Sequence, residues 1–158
     1  MNKITNDEFA DYVAACQNGM YSFAFALLKH EADAQDAVSE AIVKAFEHKH
    51  KLREREKFKS WIMEILMNVI RAMIRKQNKL LVVPDVEALE TSIISEKNYD
   101  NLWDAVMNLE AKFRMVVILY YFESFSTMEI SEIIKVPEGT VRSRLARARN
   151  KLKSLIEL

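Results

Sequence analysis

The chain has almost nothing with which to break a helix: two glycines, Gly19 and Gly139, and two prolines, Pro84 and Pro137, in 158 residues. Sandwiches, barrels and dinucleotide-binding folds reverse direction often and draw on both residues to do so. A chain this poor in them is directed toward helices, and its apolar residues agree, recurring at steps of three and four almost throughout. Two glycines 120 positions apart also cannot build a glycine-rich phosphate loop.

The helical stripes divide the chain. Phe9, Tyr12, Val13 and Cys16 draw a first helix, and a short second one is expected at about 20–29 after a break at Asn18-Gly19. Ala34, Val38, Ala41, Ile42, Ala45 and Phe46 draw a third, with Asp33 as its expected N-cap. The fourth is the clearest, a continuous stripe of Phe58, Trp61, Ile62, Ile65, Leu66, Val69, Ile70, Met73 and Ile74. Residues 5–77 thus read as four helices. Residues 79–97 lose the pattern around Pro84 and read as a linker, with a short helix near 85–90. Periodicity resumes with Leu102, Trp103, Val106 and Leu109, then Phe113, Val116, Val117, Tyr120 and Tyr121. The expected fold class is all-α: two small helical domains, 1–78 and 98–158, joined by the linker 79–97, with a helix-turn-helix in the second.

The formal net charge is zero, with 23 basic and 23 acidic residues, but the signs alternate along the chain. Residues 1–40 hold 2 basic and 7 acidic residues, net −5; residues 41–80 hold 11 and 4, net +7. Residues 81–120 hold 3 and 7, net −4, and residues 121–158 hold 7 and 5, net +2. Each half has an acidic front and a basic back. Two basic faces suit two contacts with a polyanion, although charge runs are also simply solvated faces. The single cysteine, Cys16, rules out an internal disulfide and any multi-cysteine zinc site, and fits a reducing, cytosolic compartment. No apolar run approaches the length of a membrane span, and the N-terminus does not read as a signal peptide.

The C-terminal motif is the most specific. Ser126-Thr127-Met128-Glu129 has the pattern of a capping box, and Ile130, Ile133 and Ile134 follow on one face. Val136-Pro137-Glu138-Gly139 reads as a turn, and a last helix runs from about Thr140 to Leu155. Val141, Leu145, Ala148 and Leu152 fall at core spacing. Arg142, Arg144, Arg147, Arg149, Lys151 and Lys153 must then face outward, with no acid among them. This is the plan of a helix-turn-helix, whose second helix enters the major groove with its N-terminal residues. Arginine pairs with guanine in bidentate fashion, and Thr140 and Ser143 can reach phosphates or bases.

In the N-terminal half a basic stretch, 48–59, precedes the fourth helix. It carries Lys49, Lys51, Arg53, Arg55, Lys57 and Lys59, with Glu54 and Glu56 interleaved, and leads into Phe58 and Trp61. Cations beside aromatic rings suit single-stranded nucleic acid, which pairs its phosphates and stacks its bases. Both rings also lie on the apolar stripe: Trp61 reads as core, and Phe58 as either core or stacking platform. His48 and His50 lack partners at metal-ligand spacing, so no metal is expected, nor any catalytic set or cofactor.

The residues from Asp33 to Phe46, DAQDAVSEAIVKAF, resemble the polymerase-binding helix of bacterial extracytoplasmic-function (ECF) sigma factors. Trp61-Ile62-Met63-Glu64-Ile65-Leu66-Met67-Asn68, followed by Arg75, resembles the family's next helix, and Ser126–Ile133 with Pro137–Arg149 resembles its region 4. The resemblance covers nearly the whole chain, in the family's order. It implies a non-catalytic, cytoplasmic protein that binds core RNA polymerase through the clamp of the beta-prime subunit and the flap of the beta subunit. Asp36, Ser39, Glu40 and Lys44 would touch the polymerase. Gly139, Thr140, Arg142, Ser143, Arg144 and Arg147 would read the upstream promoter element as duplex DNA. The downstream element would be held as it melts, a base being flipped out of the stack. Its candidate contacts are Lys49, Lys51, Arg53, Arg55, Lys57, Phe58, Trp61, Asn68, Arg71 and Arg75. An anti-sigma factor, membrane-anchored in many such systems, would hold the protein inactive.

The chain departs from the family's usual pattern at several positions. Ala72 stands where an acid is common, Ala37 for leucine, Ser39 for glutamine, Phe46 for tryptophan and Leu66 for alanine. The apolar exchanges can repack, whereas Ser39 weakens a polar contact. Two other readings use less of the sequence. A stand-alone DNA-binding regulator would need only residues 98–158, and a helical adaptor would need none of the arginines.

Overall fold

The computed structural model describes residues 3–78 and 101–156; the expected short helix near 85–90 lies outside them. The chain divides into two compact units, Met1–Gln77 and Asn78–Leu158. Among the described residues every regular element is helical, as the composition predicts.

In the first unit three long helices pack pairwise: α1 (Asn6–Leu28), α2 (Glu31–Glu47) and α3 (Phe58–Gln77). Three helices stand here where the sequence predicts four, because α1 runs through Asn18-Gly19 without a break. A glycine inside a helix costs about 1 kcal/mol relative to alanine, while burying each large apolar side chain gains roughly 1.5–3 kcal/mol. Met20 and Phe23, just beyond Gly19, are fully buried and decide the matter. The chain reverses instead at Lys29, in the left-handed region at φ 53°. The N-cap of α2 is His30 rather than Asp33: its Nδ1 accepts the Asp33 N–H at 3.3 Å. The face of α2 turned to α1 and α3 is small, with Ala34, Ala37, Ala41 and Ala45 all inaccessible to solvent. The helices therefore approach closely, and the polar residues of α2 are left outside.

Residues 48–57 join α2 to α3 through two short 3-10 turns, Lys49–Lys51 and Arg55–Lys57. The core of α3 is Phe58, Ile62, Met63, Leu66, Met67, Val69, Ile70 and Ile74. Cys16, on α1, is half-buried.

The second unit is built from shorter pieces: α4 (Leu102–Met107), α5 (Ala111–Val117), α6 (Thr127–Ile134) and α7 (Glu138–Ile156). Helix α5 continues into a wider π-helical turn, Ile118–Phe122, closed by the Glu123 N–H on the Ile118 carbonyl at 2.9 Å. That turn buries Ile118 and Leu119 but leaves Tyr120, Tyr121 and Phe122 exposed, so the two tyrosines are not on the core stripe their spacing predicts. Arg114 is the one fully buried charged side chain among the described residues. Its Nη1 donates to the Leu109 carbonyl at 2.8 Å and the Met107 carbonyl at 3.4 Å, the polar end that α4 would otherwise leave unsatisfied.

The expected capping box is present. The Ser126 hydroxyl accepts the Glu129 N–H at 3.1 Å, and the Glu129 carboxylate accepts the Ser126 N–H at 2.9 Å. The turn from α6 to α7 passes through Lys135 at φ 59°. Gly139 lies inside α7, not in the turn, and needs no left-handed backbone. Val141, Leu145, Ala148 and Leu152 are buried, as their spacing predicts.

Candidate nucleic-acid interface

Helix α7 meets the rest of its unit along the buried row, which turns Gly139, Arg142, Ser143, Ala146, Arg147 and Asn150 to solvent. Thr140 and Arg144 are half-buried at the edges of that face. The N-terminal turn is braced from below: the Thr127 hydroxyl donates to the Glu138 carboxylate at 2.7 Å, tying the start of α6 to the start of α7. Glu138 also pairs with Arg142 at 3.2 Å. The Ser143 hydroxyl donates to the Thr140 carbonyl at 3.1 Å. A Cβ at Gly139 would meet nothing within 4 Å, so neither backbone nor packing within the chain requires glycine there.

The six cations of α7 do not act alike. Arg149 donates through Nε to the Tyr121 hydroxyl at 2.6 Å. Lys151 lies over the Phe113 ring at 5.3 Å and 4.0 Å from the Glu110 carboxylate. Both are turned onto their own unit. Arg142 and Arg147 are exposed in the half that enters a groove in helix-turn-helix proteins, while Arg149 and Lys153 are exposed further along the helix.

In the first unit the sequence candidates separate into two groups. Phe58 is only 3% exposed, and its ring packs on Phe9 at 5.6 Å, Tyr12 at 5.1 Å and Trp61 at 5.8 Å. It is a core residue here and offers no open face to a base. Trp61 is half-buried instead, reversing the order expected from the stripe. From Trp61 a second stripe runs along α3 away from the core: Ile65, Asn68, Ala72 and Arg75, at steps of four, three, four and three. It extends about 21 Å, at 1.5 Å per residue, with an aromatic ring at one end, an amide in the middle and a cation at the other. Arg71 is half-buried beside it.

The preceding loop is not a free cationic arm. Arg55 is engaged with Glu8 of α1, Nε to Oε2 at 2.7 Å and Nη2 to Oε1 at 3.1 Å, and its Nη2 also donates to the Lys3 carbonyl at 3.3 Å. These bonds make Arg55 a strap across the unit. Glu8 completes a capping box with Thr5, accepting the Thr5 N–H at 3.1 Å. The Arg55 guanidinium, aided by the Thr5 N–H, holds the Glu8 carboxyl down at about 2. Lys49 lies 4.8 Å over the Phe46 ring and donates to the Asn6 side chain. Lys51, Arg53 and Lys57 remain exposed, Lys57 within 3.6 Å of Glu54.

On α2, Asp36, Ser39, Glu40 and Lys44 are all exposed, with Glu40 and Lys44 paired at 3.3 Å. Val43, 56% exposed, and Phe46, 45% exposed, stand among them and add an apolar component that the sequence reading left out. Glu8 was detectable as well, because Thr5-Asn6-Asp7-Glu8 has the capping-box spacing just before Phe9. Arg114 was signalled only by standing alone in an apolar run. Among the described residues no group of three histidine, cysteine or acidic side chains could hold a metal ion, and no helix is long and apolar enough to cross a membrane.

Residues 12–80 match the family model for sigma-70 region 2, and residues 99–152 match the model for sigma-70 region 4. The RNA polymerase sigma factor SigV of Bacillus subtilis is 35% identical over 81% of this chain and 78% of its own length. The ECF RNA polymerase sigma factor SigW of the same organism is 26% identical over 97% and 91%. Among solved structures, the fold is similar to the sigma factor RpoE in complex with the anti-sigma factor NepR from Bartonella quintana. That likeness has a TM-score of 0.75 at 23% identity, over 96% of this chain and 98% of that one. It is also similar to CnrH in complex with the cytosolic domain of CnrY, with a TM-score of 0.67 at 21% identity, over 96% and 88%.

Proposed function

The chain belongs to the extracytoplasmic-function family of RNA polymerase sigma factors, non-catalytic proteins that direct promoter-specific initiation of transcription, and from that premise we propose how its parts divide the work. Residues 1–78 act as region 2 and residues 98–158 as region 4, with 79–97 as the linker. Helix α7 reads the upstream promoter element as duplex DNA. The observation that carries this is the orientation of α7: its apolar row is buried while Gly139, Arg142, Ser143 and Arg147 reach solvent together at its N-terminal end. Arg142 and Arg147 are suited to guanine edges or phosphates, and Thr140, Ser143 and Arg144 to the backbone. A glycine with no internal reason to be glycine fits close approach of a phosphate to the helix N-terminus.

The downstream element is held as it melts. Trp61 offers the stacking face, Asn68 an amide for a base edge, and Arg75 with Arg71 cations for the strand. Lys51, Arg53 and Lys57 supply charge from the loop, and Lys49 lies at its edge. Helix α2 meets core RNA polymerase at the beta-prime clamp through Asp36, Ser39, Glu40 and Lys44, with Val43 and Phe46 as the apolar centre of that contact. The second unit reaches the flap of the beta subunit.

The fold's likeness to two sigma factors held by anti-sigma partners supports a similar partner for this chain, membrane-anchored and covering the polymerase-binding face of α2. The protein works in the cytoplasm, where the polymerase is. The first test is co-migration of the chain with bacterial core RNA polymerase on a sizing column, beside an Asp36→Ala/Glu40→Ala variant. A complex that the variant weakens, followed by defined start sites in run-off transcription of genomic DNA, supports the scheme. Absence of a complex while the free protein binds duplex DNA at low salt overturns it.

A further inference from the structure

The loop before α3 is tied at both ends to one short piece of chain, the first turn of α1. Near its start Lys49 donates to the Asn6 side chain. Near its end Arg55 takes both oxygens of Glu8 and the carbonyl of Lys3. Asn6 and Lys49 are 43 positions apart, and Glu8 and Arg55 are 47, so neither tie follows from local helix geometry. Glu8 is itself fixed, because one of its oxygens accepts the Thr5 N–H in the capping box. Lys3, Asn6 and Glu8 also precede residue 12, where the match to region 2 begins.

We propose that the N-terminal turn of α1 is a positioning device for the downstream-element loop, with Glu8 as its central residue acting through Arg55. The proposal rests on the reading that the loop and α3 hold melted promoter DNA. A loop rich in lysine and arginine repels itself, and it gains entropy by fraying. Held at both ends, residues 50–54 between the ties present Lys51 and Arg53 in one arrangement instead of many. A bidentate carboxylate–guanidinium pair fixes direction as well as distance, which a lysine in place of Arg55 would not do.

The test depends on sign. Glu8 is an acid close to a surface that receives nucleic acid. If its charge acted only through space, removing it would strengthen DNA binding, since fewer negative charges oppose the phosphates. A positioning role predicts the opposite. Holoenzyme is assembled from the full chain and bacterial core polymerase, and the strongest start site found by run-off transcription of genomic DNA is used as template. Promoter melting is followed by permanganate reactivity of unpaired thymines for the wild type, Glu8→Ala and Thr5→Ala. The Thr5 variant removes the cap hydroxyl but leaves the Glu8–Arg55 pair, and so controls for loss of helix stability. Glu8→Ala is expected to slow melting about fivefold, the scale of a well-formed but partly exposed ion pair. Thr5→Ala is expected to stay within about twofold, and both variants to bind core polymerase as the wild type does. Unchanged or faster melting by Glu8→Ala overturns the proposal, and so does an equal loss in both variants. A wild type that yields no start site at all would instead overturn the sigma-factor scheme, which keeps the two failures apart.

Discussion

The two units solve the same problem with the same means in different proportion. The first uses helices of 23, 17 and 20 residues, and it fixes its working loop by contacts more than 40 positions apart in sequence. Among its described residues the second uses helices of 6, 7 and 8 residues under one of 19, and beside the long-range Lys151–Glu110 pair it fixes the short ones mainly with local devices. These are the Ser126 capping box, the Arg114 plug on the end of α4 and the Thr127–Glu138 bond across the turn. Long helices obtain stability from packing, and short ones depend on how their ends are satisfied. Mutations should therefore disturb the first unit through its core and the second through its termini.

The largest expected effect is at Phe58. Truncating this buried ring, Phe58→Ala, should cost about 3–5 kcal/mol of stability, seen as an early transition in urea unfolding. Trp61→Ala should leave the transition much less disturbed and weaken binding to single-stranded promoter DNA, where each stacked base is worth about 1–3 kcal/mol. The reverse pattern would exchange the roles assigned to the two rings.

That pair also shows how far the sequence could be read. The apolar spacing located α2, α3, α6 and α7 and the outward face of α7, because those features are written at three- and four-residue spacing. The same spacing could not rank Phe58 against Trp61. Both sit on the stripe, and the difference lies in Phe9 and Tyr12, which arrive from another helix. The pairing of Arg55 was missed for the same reason, since its partner Glu8 is 47 positions away. The break expected at Gly19 failed because local propensity was outweighed by burial of Met20 and Phe23.

Next in size is Arg114. Replacing it with methionine keeps the bulk but leaves the buried Leu109 carbonyl without its donor, at a cost of about 1–3 kcal/mol confined to the second unit's transition. Removing the α6 cap, Ser126→Ala, should cost about 1 kcal/mol in that same transition. Were the first unit's transition to move instead, the contrast between the units would fail.

Gly139→Ala should be stabilising by up to about 1 kcal/mol, since the backbone is helical and the space open. On the proposed reading the same change should weaken upstream-element binding in a gel-shift titration, because the new methyl would stand where a phosphate is proposed to approach. The smallest effect concerns acid. The Arg55 guanidinium and the Thr5 N–H hold the Glu8 carboxyl at about 2 in the folded protein, against an ordinary value of about 4.5. A lowered folded value means stabilisation that is complete above about 4.5 and is lost as pH falls toward 2. The difference in unfolding midpoint between wild type and Glu8→Gln should accordingly be present at pH 7 and shrink across that window.

The π-helical turn at Ile118–Phe122 has a consequence for descent rather than for stability. A π turn accommodates one residue more than an α turn, and each added or removed residue rotates everything beyond it by about 100°. Deleting one residue here would restore a regular helix and swing Phe125 and Ser126 away from the places they now occupy. The segment therefore acts as a length gauge between α5 and the α6–α7 pair. Its exposed side chains, Tyr120, Tyr121 and Phe122, can drift under substitution, but their number cannot, and insertions or deletions at this point should be purged even where replacements are accepted.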